Sequence, residues 1–197
     1  MRALIMGLCL LAFSQAARAA EIASVYTELN VQRDCTTFAS STEEGGYANL
    51  ACNGYGGYPV LIYSGDLRES IYYGFPKGGD LAPAWESFGG FNSAGPKIEW
   101  RVAKDGDRAI PFATIHRWSV SDPEDAEKTV EVLVVEKVGQ LGEQDGCAVG
   151  LVLATGNPKA NETARKIADE QARNFACGGD ERVLVGEPLP SFDRQEN

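Results

Sequence analysis

The sequence predicts an α+β protein: a curved antiparallel β-sheet, built as a meander of hairpins, with one C-terminal α-helix packed on it and two disulfides. Three observations carry this expectation. Apolar residues alternate with period two between turn residues through most of the chain. One stretch near the C-terminus switches to steps of three and four. Four cysteines, an even set, follow an N-terminal stretch with the layout of a leader.

That leader comes first in the chain. Arg2 precedes an apolar run from Ala3 to Phe13, and small residues end in Ala17-Arg18-Ala19. The pattern is that of a cleavable signal peptide over residues 1–20, cut after Ala19 or Ala20, and it predicts a periplasmic or secreted protein. The run is shorter than the roughly 30 Å of a bilayer core requires, and no later stretch is long and apolar enough, so no membrane span is expected. Cleavage removes Arg2 and Arg18, which leaves 16 basic residues against 28 acidic ones and moves the net charge from -10 to -12. A field of that sign disfavours nucleic acid and anionic lipid and speeds encounter with cations or basic proteins. Residues 21–180 suffice for one core and fall short of two ordinary domains.

In the first hairpin, from Val31 to Cys52, a turn at Glu43-Glu44-Gly45-Gly46 sets Cys35 opposite Cys52, within disulfide range. A second places Gly65-Asp66 in a two-residue turn, pairing Val60 with Ile71 and Tyr58 with Tyr73 between strands 58–64 and 67–75. A long connection, Gly74 to Pro96, carries Phe75, Trp85, Phe88 and Phe91 among glycines and prolines. Connections of this length are functional or disordered, and aromatic rings are costly to leave in water. Trp85, Phe88 and Phe91 are therefore the candidate binding residues, on a lid or a contact surface. A third hairpin around Asp105-Gly106-Asp107 sets Trp100 against Phe112 and Ile98 against Thr114. Strands 129–138 and 147–154 follow, joined by the polar loop Gly139 to Gly146.

The helix is expected from Pro158 to Ala176, capped by Asn157 and stopped by Gly178-Gly179. Ala160, Ala164, Ile167, Ala168, Gln171, Ala172 and Phe175 share the face that should meet the sheet. Glu162 with Lys166, and Asp169 with Arg173, have the favourable i, i+4 order. The strand from Cys147 rises roughly 23 Å and the helix returns roughly 28 Å, which brings Cys177 back to Cys147. Each bridge, Cys35–Cys52 and Cys147–Cys177, is worth on the order of 3 kcal/mol. Residues 181–197, with Pro188, Pro190 and many charges, read as a flexible tail with at most a short strand at Val183–Val185.

Chemistry is harder to find. His116 is the one histidine, on a strand whose residues Ile110, Phe112, Thr114, His116 and Trp118 point to one side, which marks a core histidine before a catalytic one. Phe91-Asn92-Ser93-Ala94-Gly95 lacks the first glycine of a nucleophile elbow. Gly54-Tyr55-Gly56-Gly57-Tyr58-Pro59 has proline where a dinucleotide fingerprint needs its third glycine. Asp105 and Asp107 do not continue into a calcium loop, and the cysteine spacings lack zinc knuckles. Asn161-Glu162-Thr163 has the form of a glycosylation acceptor but lies within the helix. Glu86 and Glu99 exemplify carboxylates that could act as a pair in glycan hydrolysis. No catalytic residue, metal or cofactor is implied.

Cys52-Asn53-Gly54-Tyr55-Gly56-Gly57, Gly65-Asp66-Leu67-Arg68, Phe91-Asn92-Ser93 with Ile98-Glu99-Trp100-Arg101, and Asn157-Pro158-Lys159-Ala160-Asn161-Glu162-Thr163-Ala164-Arg165 cover most of the chain in order. They resemble an uncharacterised family of small exported alphaproteobacterial proteins of unknown function. The resemblance implies a periplasmic or secreted Gram-negative protein and brings no catalytic residues. The functional expectation is a non-catalytic protein that binds a protein or cell-envelope component. The alternatives are an acidic inhibitor of a cationic hydrolase such as lysozyme, and a carboxylate-dependent glycan hydrolase.

Overall fold

The computed structural model describes residues 21–43, 45–77, 84–106, 108–122, 125, 127–142 and 145–195. The expected leader with its cleavage site, part of the Gly74–Pro96 connection and part of the 122–127 segment lie outside the described residues.

Strands β1 (Glu21–Glu28), β2 (Cys35–Ser41), β3 (Tyr47–Asn53), β4 (Pro59–Gly65), β5 (Arg68–Tyr73) and β6 (Trp85–Phe88) precede two long strands, β7 (Asn92–Asp105) and β8 (Arg108–Ser121). Then come β9 (Thr129–Lys137), β10 (Cys147–Leu153), β11 (Val183–Val185) and β12 (Phe192–Gln195). A one-turn helix α1 (Val31–Asp34) links β1 to β2, and the main helix α2 (Ala160–Gln171) follows β10. They form a six-stranded sheet β1-β7-β8-β9-β10-β11, a four-stranded sheet β2-β3-β4-β5 and a pair β12-β6. Every pairing is antiparallel except β10 with β11.

The six-stranded sheet is covered on both faces. One face carries Ile98, Trp100, Trp118, Val132 and Val134, which pack with Val60, Ile62, Ile71 and Tyr73 of the four-stranded sheet. The opposite face carries Ala113, Ile115, Leu133, Val135 and Val149, which pack with Ala160, Ala164, Ile167 and Ala168 of α2. Because side chains alternate along a strand, β9 must be apolar at every position from Val132 to Val135 to serve both layers.

Both bridges are present, with Cα–Cα distances of 3.9 Å for Cys35–Cys52 and 5.8 Å for Cys147–Cys177. Cys35 stands opposite Cys52 in the β2–β3 register, as expected. Two other registers differ from expectation. Asp66 and Leu67, both at positive φ (51° and 59°), form the β4–β5 turn, so Val60 meets Tyr73 and Ile62 meets Ile71. A primed turn matches strand twist better than a turn centred on Gly65-Asp66. In the β7–β8 hairpin a bulge between Arg101 and Val102 leaves Phe112 as the extra residue, and Trp100 pairs with Thr114 and Ile98 with His116. The bulge turns Phe112 to the helix face while Thr114, His116 and Trp118 remain on the other, so Ile110 and Phe112 do not share their side.

The helix also starts later than predicted. Asn157 accepts a hydrogen bond from Lys159 N (3.0 Å) within the preceding turn, and α2 begins at Ala160 without a side-chain cap. Past Gln171 the chain tightens into a 3-10 turn, Ala172–Asn174, leaving Gln171 exposed instead of on the buried face. Asp169 does not serve Arg173. It takes both Arg101 nitrogens, Nε at 2.8 Å and Nη2 at 2.7 Å, while Arg173 lies over the Phe112 ring at 4.2 Å. A buried guanidinium on the sheet outcompetes a solvated i, i+4 pair.

Residues 181–195, expected as a tail, form β11 and β12. Val183–Val185 add a parallel strand beside β10, and Phe192–Gln195 pair with β6. The physical reason is that both ends of this segment cover groups otherwise left open: the edge of β10 and the aromatic ring of Phe88, whose centroid lies 4.8 Å from that of Phe192.

Candidate functional site

A pocket of about 520 Å³ opens where β6, β10 and the C-terminal segment meet. Its apolar wall is Leu151, Phe175, Leu184, Leu189 and Phe192, and its charged side is Glu86, Asp180, Glu181, Arg182 and Arg194. Glu86 comes from the unusual Gly74–Pro96 connection, on the strand that β12 holds in place.

Glu86 is buried, and two elements fix its carboxylate. Oε2 accepts the Ala148 N–H of β10 at 2.7 Å, and Oε1 accepts Arg182 Nη2 at 2.5 Å, with Arg194 Nη1 at 3.7 Å. Arg182 also donates Nη1 to the Phe192 carbonyl (2.9 Å) and lies 5.0 Å from the Phe192 ring centroid. Glu86 is thus paired with the two arginines, while Asp180, also on the wall, accepts the Ala176 N–H at 2.8 Å.

A second carboxylate, Glu136 of β9, lies close enough to feel Glu86 but is buried behind the pocket lining. Burial, and next the neighbouring Glu86 charge, raise it well above the usual carboxylate range, with Arg182 opposing. The two carboxylates have very different surroundings, and only Glu86 reaches the pocket wall.

The two carboxylates singled out from sequence are not together. Glu99 sits on the opposite side of the six-stranded sheet, where Arg165 of α2 holds both its oxygens (2.6 and 3.0 Å) and Ser24 donates to Oε1 at 2.5 Å. Burial pushes Glu99 up, but Arg165, Ser24 and Arg101 together hold it below its ordinary value. With Arg101–Asp169, and a bond from Arg101 to Ser24, this network ties α2 to β7 and β1. Its role is to fix the helix.

The three aromatic candidates separate. Phe88 is 1% exposed and packs between Trp118 and Phe192 in the core. Trp85 is half-buried against Leu61, Tyr63 and Tyr72 on the outer face of the four-stranded sheet. Phe91 is 56% exposed, near the β4–β5 hairpin tip, where Asn92 N donates to the Leu67 carbonyl at 3.1 Å. His116 is fully buried, between the Tyr73 hydroxyl (2.6 Å) and the Gly95 carbonyl (2.6 Å).

Sequence reasoning missed Arg182, Arg194, Leu184, Leu189 and Phe192, because a short segment broken by two prolines has no period to read. The one available signal was the apolar triplet Val183–Val185. Among the described residues no group of three or more His, Cys, Asp or Glu is placed to hold a metal ion. Among them, too, no helix is long and apolar enough to cross a membrane.

Fold and site together define a disulfide-bonded α+β protein with an amphiphilic, ion-paired pocket. No protein-family model and no solved structure matches the chain. Over 96 residues, 46% of the chain, it is 32% identical to autophagy-related protein 2 of Caenorhabditis elegans. The chain spans about 4% of that relative's length, so the likeness concerns a segment only.

Proposed function

We propose that this is a non-catalytic exported protein, working in the periplasm or outside the cell of an alphaproteobacterium, that binds a protein or cell-envelope component through the pocket between β6, β10 and the C-terminal segment. The observation that carries this reading is the state of Glu86. Its carboxylate is spent on Ala148 N–H and Arg182, and it faces an apolar wall across a charged rim, which favours recognition chemistry over acid–base chemistry. The leader pattern and the two disulfides support an oxidising destination.

The test is affinity capture from an envelope extract with the mature protein and with Leu184→Asp. Leu184 lines the pocket and is 63% exposed, so the change alters the wall without opening the core. The expected outcome is a specific retained component, lost by about tenfold or more in the variant, since an ion facing a buried apolar guest costs at least 1.4 kcal/mol. Equal retention by both proteins refutes the site. Incubation with peptidoglycan separates the enzyme reading: release of soluble fragments sinks the non-catalytic one. The net charge of -12 after leader removal, 16 basic residues against 28 acidic, favours a cationic partner. Inhibition of lysozyme by micromolar protein is the assay for that narrower version.

A further inference from the structure

A second site lies at the other end of the four-stranded sheet, independent of the pocket above. A groove of about 640 Å³ runs between the β2–β3 and β4–β5 hairpin ends. Tyr47, Ser41, Ser64, Asp66, Arg68 and Glu69 are among the residues that line it, with Gly45, Gly46 and Gly65 beside them.

Its chemistry differs from that of an apolar docking groove. Tyr47 is 45% exposed, lines the groove and stands across Gly65 from Arg68 in the register of β3, β4 and β5. Asp66 and Arg68 are joined by one charged hydrogen bond, Arg68 Nη2 to Asp66 Oδ2 at 2.7 Å. That bond leaves Asp66 Oδ1 as an acceptor, and the other guanidinium N–H groups as donors, at the groove. Asn92 is scaffold: its Oδ1 accepts Glu69 N at 3.0 Å and its Nδ2 donates to the Gly90 carbonyl at 3.0 Å. Glu69 Oε2 accepts Ala94 N at 2.8 Å, which ties this end of β5 to β7. The turn that presents Asp66 is itself unusual, because neither residue with positive φ is Gly or Asn. Asp tolerates that conformation, so the strain falls on Leu67, which is 72% exposed.

An aromatic face beside paired planar donors and acceptors matches a pyranose ring, which offers an apolar C–H face and adjacent hydroxyls that both donate and accept. With one cation against two carboxylates in a strongly acidic protein, polyanions are repelled. We infer that this hairpin-end groove binds a neutral, hydroxyl-rich saccharide chain, with Tyr47 as the stacking platform and the Asp66–Arg68 pair reading the hydroxyls.

The test is titration calorimetry of the mature protein with three neutral tetrasaccharides, β-1,4-linked glucose, β-1,4-linked N-acetylglucosamine and α-1,4-linked glucose, and with a tetragalacturonate. The expected result is saturable binding of at least one neutral chain, weakened tenfold or more by Tyr47→Ala and by Arg68→Ala. Unchanged affinity is expected in Leu184→Asp, which separates this groove from the pocket of the proposed function. Both groove variants alter exposed side chains, and an unchanged thermal midpoint verifies that they are folded. The inference is overturned if no neutral chain binds at about 5 mM, where a Kd of about 1 mM gives near-saturation. It is also overturned if the groove variants bind as the wild type does, or if tetragalacturonate binds as well as the neutral chains.

Discussion

His116 is the chain's single histidine and is fully buried on β8, which makes its protonation unusually easy to follow. The Gly95 carbonyl can only accept, so Nε2 carries the proton and the neutral ring leaves Nδ1 to accept the Tyr73 hydroxyl. Burial, opposed by the Gly95 carbonyl, lowers its pKa to about 4. A depressed histidine stabilises the fold above the unfolded value near 6.5, and that contribution, on the order of 3 kcal/mol, is lost as pH falls from 6.5 toward 4. Glu136 acts with the opposite sign: its raised value favours the fold below the ordinary carboxylate range and loses that contribution as pH rises through the raised value. The one set of histidine ring resonances in a proton NMR titration should therefore show a midpoint near 4 in the native protein. A midpoint near 6.5 would mean a solvated ring and an open interface between the sheets.

At the scale of elements, β12 decides whether the pocket exists. Phe192 lies against Phe88, Ser191 O accepts Gly89 N at 3.0 Å, and Arg182 reaches back to Glu86. Phe192→Ala should lower unfolding free energy by about 1–2 kcal/mol, less than the full loss of a buried ring because Phe192 is half-buried, as measured by urea titration. A flexible tail would show no change. The elements legible in the sequence were those with a period: the hairpin that joins Cys35 to Cys52, the strands with alternating burial, and α2, whose Ala160, Ala164, Ile167 and Ala168 are buried as their spacing implied. Those that were not legible depend on partners far away in the chain. Arg101 recruits Asp169 from across 68 residues and Arg165 reaches Glu99 across 66, and i, i+4 spacing carries no trace of either.

Across the whole molecule, the two main sheets meet through glycine. Gly139 N donates to Tyr73 O at 2.8 Å and Phe75 N to Gly139 O at 2.9 Å, joining the end of β5 to the β9–β10 connection. A Cβ on Gly139 would stand 2.3 Å from the Tyr72 hydroxyl and 2.5 Å from the Phe75 carbonyl. Gly139→Ala should accordingly destabilise the protein by about 2 kcal/mol or more, read as a lowered thermal midpoint, because backbone on one side cannot yield. This junction shows where sequence information ends. The amino-acid order alone determined the covalent links, the central hairpin strands, the main helix and the face that α2 buries, because each follows from local spacing: period two, period 3.6, or cysteines set opposite one another across a turn. Only the tertiary structure decided that Glu86 and Glu99 face different sides, that Phe112 turns to the helix, and that the last residues close a pocket around Glu86. Those outcomes rest on a one-residue bulge and on contacts between distant segments, and the energy of such contacts is set by packing in three dimensions rather than by neighbours along the chain.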